Sequence, residues 1–418
     1  MNLELVVRRR EAAWRRRVRR LPFMKNGWVF SHRKVEAVPA KGWKLHVSAT
    51  ILNASVVFDR VARFLRERDV VFKIPASLEF LLQLNTGIPL YSQVGKFMTI
   101  YPRGAAEAIE LAREIHARTR DLRGPKIPFD AHYRGLVYYR YATSRDDRAA
   151  ELPFPAGTRD LFSKSSRGIG GPIGLEFHPT RALSQRGKGG VYEALDLSRL
   201  PARMVIIKEG RRDGETAWDG RDARDLLKHE ARLLRALSEA GVPVPEIVRE
   251  FSQNGNRYLV LEKISGSPLL PSRLHVARRS WARVAKIMQQ LGGLLAKIHE
   301  TGWVWRDCKP SHVFVHRGQM ALLDFEGACR AGDTNVIPWA ALHYVAPKLR
   351  DQFQREHGTV EDDYALGVIA FQLGTGEFPP VSMPKQNRAL KKFGCPRELQ
   401  ARIEAMLATG LPNSQKSL

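Results

Sequence analysis

Two short stretches carry side chains of the kinds that phosphoryl transfer uses. The first, VWRDCKPSHVFV at 304–315, contains Asp307, Lys309 and His312, and the second, ALLDFEG at 321–327, contains Asp324. Such a reaction needs a carboxylate that accepts the proton of the attacking hydroxyl, a cation beside the transferred group and a carboxylate that binds Mg²⁺. These residues therefore suit a phosphotransferase whose remaining parts must lie elsewhere in the chain.

Three further elements precede these stretches. In chain order they are a glycine-rich loop in SQRGKGGVYEALD, a lysine that ends the apolar run MVIIK, and a glutamate in the amphipathic helix ARDLLKHEARLLRAL: Gly187, Gly189 and Gly190, then Lys208, then Glu230. Glycines let backbone N–H groups approach phosphates closely. The whole ordered set resembles the signature of protein kinases.

The kinase resemblance implies a role for each residue. Lys208 would hold the α- and β-phosphates of ATP, and Glu230 would hold Lys208. Asp307 would accept the proton of the attacking hydroxyl, Lys309 would lie beside the transferred group, and Asp324 would bind Mg²⁺. The implied cofactors are ATP and Mg²⁺.

Several positions depart from the kinase pattern. Trp305 replaces a histidine, Glu326 replaces the glycine of the metal loop, and His312 replaces a metal-binding asparagine. Imidazole suits Mn²⁺ or Zn²⁺ better than Mg²⁺, so His312 either changes the metal preference or weakens one metal site. An inactive pseudokinase is the alternative. Asp363, in DDYALG, matches the buried aspartate that braces the catalytic loop.

Basic residues accumulate on the predicted strands of the first half. Lys44 and His46, in GWKLHVSA, are two residues apart on a strand and therefore face the same side. Four more cations lie on or beside later strands: Lys73, Lys96, Arg103 and Arg140. Cations that converge on one sheet face would bind a dianion such as a phosphate ester. The alternative is a solvated sheet face with a satisfied histidine.

The chain resembles the N-terminal part of class III and class IV lanthionine synthetases, in which a phosphoserine/phosphothreonine lyase domain precedes a kinase domain and a cyclase domain. GWKLHVSAT, FKI, GKFMTIYPR and YYRYA carry the lyase resemblance, and KGGVYEALD, KEGRRD and LLDFEGA carry the kinase one, over roughly residues 25–410. The resemblance implies that Lys44 is the general base and His46 the general acid of phosphate elimination. It assigns phosphate binding to Lys73, Arg103 and Arg140, and less surely to Lys96.

The net charge of +25 is partly concentrated in VVRRREAAWRRRVRR, residues 6–20. A solvated basic helix or disordered arm, a nucleic-acid-binding arm, and an arm that attracts acidic peptides or phosphates are the three interpretations. The three cysteines show no paired spacing, no apolar segment of a secretion signal follows the charges, and no apolar run is long enough to span a membrane. A reduced, cytoplasmic setting is the expectation.

The pattern of elements predicts an α+β protein: a lyase-like α/β sheet domain followed by a bilobal kinase-like domain. The predicted divisions are a basic arm at 1–35, a lyase-like domain at 36–150, a linker at 151–177 and a kinase-like domain at 178–412. We expect a bifunctional dehydratase that acts on a ribosomal precursor peptide and uses ATP with Mg²⁺ or Mn²⁺. A separate cyclase is a possible second partner, since no cyclase follows before Leu418, and neither membranes nor nucleic acids are expected partners. The rivals are a Ser/Thr kinase whose first domain only docks substrate, a pseudokinase scaffold, an RNA-binding protein and a small-molecule kinase, which would leave Lys44 and His46 unexplained.

Overall fold

The computed structural model describes residues 3–33, 41–88, 90–143, 153–154, 158–162, 173–270, 277–334, 336, 343–349 and 356–410. Most of the predicted linker at 151–177 therefore lies outside the described residues. The chain divides into two compact units: an N-terminal unit of residues 5–227 and 250–259, and a C-terminal unit of residues 1–4, 228–249 and 260–418. The predicted α+β class is confirmed.

The N-terminal unit begins with a helix and a seven-stranded antiparallel sheet. The elements are α1 (Leu3–Val18), β1 (Phe23–Lys25), β2 (Trp28–Phe30), β3 (Lys41–Val47), α2 (Ala54–Glu67), β4 (Val71–Pro75), α3 (Leu78–Thr86), β5 (Met98–Tyr101), α4 (Ala105–Thr119), β6 (Ala131–Arg134) and β7 (Val137–Thr143). The strand order is β1-β2-β4-β5-β3-β7-β6. Apolar side chains of the central strands, including Leu45, Phe72 and Ile100, are fully buried, and α2, α3 and α4 pack against these strands.

The segment predicted as a separate basic arm contributes to this sheet. Trp14 of α1 is fully buried, its Nε1 donates to the carbonyl of Pro75 at 3.1 Å, and its ring lies 5.6 Å from the rings of Phe58 and Phe97. Strand β2 then pairs with β4. Burial of one indole among these rings fixes the basic helix to the domain, so residues 3–30 are neither a free helix nor a disordered arm.

A second antiparallel sheet, in the order β11-β12-β10-β9-β8, lies mainly in the N-terminal unit. Its strands are β8 (Phe177–Gln185), β9 (Gly190–Asp196), β10 (Arg203–Gly210), β11 (Ile247–Gln253) and β12 (Asn256–Glu262), and helix α5 (Ala223–Glu239) follows β10. The strand-rich start of the predicted kinase-like domain thus groups with the lyase-like domain rather than with the helices that follow.

The C-terminal unit is built around helices. It contains β13 (Ser267–Pro268), α6 (Trp281–Glu300), β14 (Trp303–Val304), β15 (Val313–His316), β16 (Gln319–Leu322), β17 (Cys329–Arg330), α7 (Val360–Thr375), α8 (Met383–Lys392) and α9 (Arg397–Ala408). Helix α7 is buried on nearly every side, as expected for a helix whose residues are apolar all round. It packs against α6 and α9. Among the described residues, no helix is both long and apolar enough to cross a membrane.

Candidate active sites

The sheet register brings the predicted lyase residues to one face of the first domain. Lys44 on β3 stands opposite Arg140 on β7, and His46 stands opposite Thr99 on β5. Thr99 in turn stands opposite Lys73 on β4. Directly opposite residues of antiparallel strands point to the same face, so these side chains share one surface of the sheet.

Four of the predicted residues form a buried cationic cluster, which we define as Lys44, His46, Lys96 and Arg140. Each is at most 4% exposed. Burying several cations together is costly unless a counter-charge or a bound anion compensates them. The cluster therefore has the electrostatic character of an anion site.

The counter-charge within the structure is Asp130, which the sequence analysis did not identify. One of its carboxylate oxygens lies 2.5 Å from Nδ1 of His46, and the other lies 3.6 Å from Nζ of Lys96 and 3.4 Å from a guanidinium nitrogen of Arg140. The carboxylate fixes Nδ1 as the protonated nitrogen, so Nε2 is the ring nitrogen that can gain or lose a proton. Asp130 thus contacts His46, Lys96 and Arg140 together.

The pKa of Asp130 reflects both its burial and its neighbours. Burial raises this pKa, but Lys96, His46 and Arg140 together lower it to about 2. Because the pKa is depressed on folding, the stabilising contribution of the ionised group is fully present above the unfolded value near 4 and disappears as the pH falls towards 2. We therefore expect the free energy of unfolding to decline more steeply between pH 4 and 2 in the unsubstituted chain than in Asp130→Asn, as measured by urea denaturation monitored by circular dichroism. Parallel curves for the two proteins would contradict this assignment.

Two other predicted phosphate ligands, Lys73 and Arg103, are not members of the buried cationic cluster. Lys73 shares the sheet face, and its Nζ lies 4.5 Å from the centroid of the Trp28 ring. Arg103 is exposed, donates to the carbonyl of Arg68 at 2.8 Å and pairs with Glu107 at 3.6 Å. The Arg103 side chain thus contacts the turn between α2 and β4 and the first turn of α4, and phosphate binding by Arg103 stays a prediction.

The glycine-rich loop connects β8 and β9 and is anchored on the first domain. The amide of Gly187 donates to the carbonyl of Thr86 at 3.0 Å, and a Cβ at position 187 would lie 1.7 Å from the carbonyl oxygen of Asn85. The amides of Lys188, Gly189 and Gly190 donate to Glu215, Arg186 and Glu209.

This anchoring changes the interpretation of the glycines. The sequence predicts that their N–H groups face phosphates, but in the structure each of these amides has a protein acceptor. The missing side chain of Gly187 makes room for the C-terminal end of α3, and phosphate binding by its amide stays a prediction. Gly189, whose φ is 155°, similarly lets the backbone approach the carbonyl of Glu209. Phosphate binding by Gly189 and Gly190 stays a prediction.

A partly buried arginine reinforces the anchor. Arg211, just after β10, donates to the hydroxyl of Tyr91 at 2.6 Å and to Gln185 and Glu209 at 2.9 Å. Tyr91 belongs to the first domain, in a short 3₁₀ turn between α3 and β5. The first sheet domain and the second sheet are thereby joined by charge-assisted hydrogen bonds as well as by the loop.

In the C-terminal unit, a buried carboxylate shapes the loop that carries Asp307. Asp362, at the start of α7, is 0% exposed and accepts from the amides of Trp305 and Arg306, each at 2.8 Å. His299 lies 2.9 Å from the same carboxylate. The sequence pattern assigns this bracing role to Asp363, but in the structure Asp362 performs it, because one step along the helix turns a side chain by about 100°.

Trp305 takes part in the same arrangement. Its indole Nε1 donates to the carbonyl of Asp324 at 2.9 Å, and its ring stacks on Phe325 with centroids 5.2 Å apart. Asp324 has a φ of 66°, a left-handed conformation that needs support from its surroundings. Trp305 thus connects the stretch at 304–315 with the stretch at 321–327.

The side chains predicted to perform phosphoryl transfer converge. Lys309 lies 2.9 and 3.0 Å from the two carboxylate oxygens of Asp307. His312 lies between two carboxylates, with Nδ1 3.4 Å from Asp307 and Nε2 3.5 Å from Asp324. Burial raises the pKa of Asp307, although His312 and Lys309 oppose the shift.

Ligand atoms of Asp307, His312 and Asp324 lie within 4.8 Å of one another, as do those of Glu230, Asp324 and Glu326. Glu230 on α5 is buried and accepts from the amide of Phe325 at 3.2 Å. Lys208 lies on β10 of the N-terminal unit, and its pairing with Glu230 stays a prediction. The first group combines oxygen and nitrogen donors at a spacing that a divalent ion can bridge.

Comparison with known proteins identifies both halves of the chain. The family described as "RamC, N-terminal domain" matches residues 3–158, and the protein kinase domain family matches residues 180–413. "Probable SapB synthase" of Streptomyces coelicolor is 30% identical over 380 residues, which cover 80% of this chain and 40% of that protein. "Serine/threonine-protein kinase PknA" of Mycobacterium tuberculosis is 27% identical over 222 residues, and these cover 50% of this chain and 49% of the kinase.

The chain thus spans less than half of the length of SapB synthase and about half of PknA. A serine/threonine-protein kinase of Drosophila simulans is 30% identical over 161 residues, or 37% of this chain and 21% of its own length. The resemblance predicted from the two sets of motifs is confirmed at the level of the domain pair. The chain belongs to the protein kinase family, and a RamC-type N-terminal domain precedes its kinase domain.

Proposed function

We propose that this chain dehydrates serine or threonine residues of a ribosomal precursor peptide in two steps, an ATP-dependent phosphorylation and an elimination of phosphate. The buried cationic cluster supports this proposal most strongly, because it occurs in the same chain as a kinase domain and suits the product of that kinase. The similarity to SapB synthase extends over both domains.

The first step takes place in the kinase domain. Asp307 accepts the proton of the serine or threonine hydroxyl as its oxygen attacks the γ-phosphorus of ATP, and the bond from that phosphorus to ADP breaks. Lys309 lies beside Asp307 and neutralises charge on the transferred group. Lys208 would hold the α- and β-phosphates of ATP, and Glu230 would hold Lys208.

The donor set around Asp324 fits a divalent ion. Carboxylate oxygens suit Mg²⁺, and the imidazole of His312 adds a ligand that suits Mn²⁺ better. A bound ion would neutralise charge on the phosphates of ATP. In this chain, His312 lies between the carboxylates of Asp307 and Asp324. It therefore holds both acidic groups in position before the nucleotide binds.

The second step takes place in the first domain. Lys44 removes the α-proton of the phosphorylated residue, and the electron pair of the C–H bond forms the double bond while the C–O bond to phosphate breaks. His46 donates a proton to the departing phosphate, and Asp130 holds the imidazole in position. Lys96 and Arg140 stabilise the charge that develops on the leaving group. The products are dehydroalanine or dehydrobutyrine and inorganic phosphate.

The experiment is a mass-spectrometric time course with ATP, Mg²⁺ or Mn²⁺ and a candidate precursor peptide. We expect a phosphorylated species, followed by a species that has lost one water overall. His46→Ala and Lys44→Ala should accumulate phosphopeptide, because general acid–base groups contribute about 10²–10⁴-fold to a rate. Asp307→Asn should form no phosphopeptide but should still eliminate phosphate from a synthetic phosphopeptide.

The rival functions give different outcomes. Phosphopeptide that accumulates with the unsubstituted chain, without water loss, would identify a kinase whose first domain only docks substrate. A chain that changes no peptide in the presence of ATP would be a pseudokinase scaffold. Unchanged elimination in both His46→Ala and Lys44→Ala would refute the assignment of the cationic cluster.

A further inference from the structure

Asn85, near the end of α3, has a buried side chain that the proposed elimination step does not use. It is 3% exposed, its Nδ2 donates to the carbonyl of Ala49 at 3.2 Å, and its Oδ1 accepts from the amide of Gly95 at 3.0 Å. Ala49 follows the end of β3, the strand that carries the proposed general base and general acid, and Gly95 directly precedes Lys96. Asn85 therefore connects two backbone segments that carry members of the buried cationic cluster.

Tyr91 approaches the same cluster from the turn between α3 and β5. The carbonyl of Gln93, in this turn, accepts from the amide of Lys96 at 3.1 Å. The ring of Tyr91 lies edge-on against the ring of Phe129, with centroids 5.7 Å apart. Phe129 directly precedes Asp130 in the chain. Tyr91 is therefore close to the backbone on both sides of the ion pair between Lys96 and Asp130.

The backbone at Phe129 needs support from its surroundings. Its φ is 62°, in the left-handed region that bulky residues rarely adopt. Such a conformation persists where neighbouring groups hold it, and the ring of Tyr91 is one of these groups. Because Asp130 is the next residue, the direction of its carboxylate towards His46 depends on this conformation.

Asn85 and Tyr91 are also residues that the second sheet contacts. A side chain at position 187 would collide with the carbonyl oxygen of Asn85, so Gly187 packs directly on this residue. Arg211 donates to the hydroxyl of Tyr91 at 2.6 Å and to the carboxylate of Glu209 at 2.9 Å. All of these residues belong to the N-terminal unit. The second sheet thus contacts the same two residues that support the cationic cluster.

We propose that Asn85 and Tyr91 are positioning residues for phosphate elimination, and that their contacts with the second sheet are needed for this role. They act through Lys96 and Asp130, whose charges must face the phosphate and the imidazole of His46 while the C–O bond breaks. A misplacement of about 1 Å at such groups can cost about 10²-fold in rate. The inference rests on the proposed elimination step, but it requires neither ATP nor phosphorylation by this chain.

Steady-state elimination of phosphate from a synthetic phosphopeptide by the full chain, without ATP, tests the proposal. Tyr91→Phe removes only the hydroxyl that binds Arg211 and should lower kcat several-fold. Tyr91→Leu also removes the ring that contacts Phe129 and should lower kcat by about 10²-fold. In both variants kcat should change more than KM, because the misplaced charges stabilise mainly the transition state.

Tyr192→Phe is the matched control for Tyr91→Phe. The hydroxyl of Tyr192 lies 3.1 Å from the carboxylate of Glu209, so this variant removes a tyrosine hydroxyl from the same hydrogen-bonded network but retains the contact between Arg211 and Tyr91. Its kcat should be close to that of the unsubstituted chain. A normal kcat in either Tyr91 variant, or an equal loss in Tyr192→Phe, would overturn the proposal.

A double-mutant cycle tests whether Arg211 acts through Tyr91. Arg211→Gln should lower kcat, and the double variant Arg211→Gln, Tyr91→Phe should eliminate phosphate no more slowly than the slower single variant. A loss confined to stability would lower the thermal midpoint and leave the kcat of the folded protein unchanged. Fully additive losses of kcat would show that the two residues act independently, which would overturn the proposed role of the second sheet.

Asn85→Leu tests the other positioning residue. The substitution keeps the approximate size of the side chain but removes the partner of the Gly95 amide and of the Ala49 carbonyl, and it should lower kcat about tenfold or more. Gln83→Leu, at an exposed position of the same helix, should eliminate phosphate normally. If the unsubstituted chain and Asn85→Leu eliminate phosphate equally fast, this inference fails and the proposed function stands. A chain that eliminates no phosphate would overturn both.

Discussion

Replacement of Asp130 by asparagine is expected to slow phosphate elimination by about 10³–10⁴-fold, as removal of the carboxylate that orients a catalytic histidine does elsewhere. The amide of the asparagine can donate to Nδ1 of His46, which favours the tautomer with its proton on Nε2. The substitution also removes the negative charge that stabilises the imidazolium. The substitution also leaves Lys96 and Arg140 buried without their counter-charge. Phosphorylation should be unaffected, so phosphopeptide should accumulate in the mass-spectrometric time course.

Asp59→Asn is a suitable control for this prediction, because Asp59 is an aspartate of the same unit that pairs with Arg17 at the surface. Its elimination rate should be close to that of the unsubstituted chain. A folding defect in Asp130→Asn is checked by its thermal midpoint. If a well-folded Asp130→Asn eliminated phosphate at the normal rate, His46 would not depend on this carboxylate, and the positioning role of Asp130 would be refuted.

Replacement of Asp362 by alanine should lower the free energy of unfolding by about 3–5 kcal/mol, the range for breaking a buried ionic arrangement from one side. The amides of Trp305 and Arg306 would lose their acceptor inside the protein, and His299 would lose its partner. Since these amides shape the loop that carries Asp307, phosphorylation should fall at least 100-fold. Denaturant unfolding and a phosphopeptide assay measure the two effects.

Asp363→Ala is the matched control for Asp362→Ala, because it removes the adjacent carboxylate from the same helical turn. Asp363 is half-buried and should cost little stability by comparison. Asp362→Asn retains one acceptor oxygen and should give an intermediate loss if the alanine variant fails to fold. A larger effect at Asp363 than at Asp362 would restore the assignment made from sequence alone.

The parts of the sites that could be predicted depend on local patterns. Lys44 and His46 are two residues apart on one strand, and strand alternation alone places them on one face. Asp130 is separated from His46 by 84 residues and lies in a loop just before β6, where nothing in the sequence indicates its direction. Only the pairing of β6 with β7 and of β7 with β3 brings it to the imidazole.

Two other differences between prediction and structure have equally specific causes. In EDDY, two successive aspartates begin α7, and the sequence cannot show which one faces the loop at Trp305. At the glycine-rich loop, close packing on α3 and close approach to phosphate both require the absence of a side chain, so one residue type satisfies either interpretation. The buried Trp14, by contrast, stands alone among arginines, and a lone aromatic residue in a charged helix is a usable signal for docking.

The packing of Gly187 on the end of α3 has a consequence for any attempt to separate the two domains. Without the first domain, the amide of Gly187 would lose its acceptor, the carbonyl of Thr86. Arg211 would lose the hydroxyl of Tyr91. An isolated kinase half would therefore expose the polar groups that bind α3 and Tyr91 in the intact chain. An exchange of N-terminal domains among relatives would succeed only if the residues on both sides of this contact were exchanged together.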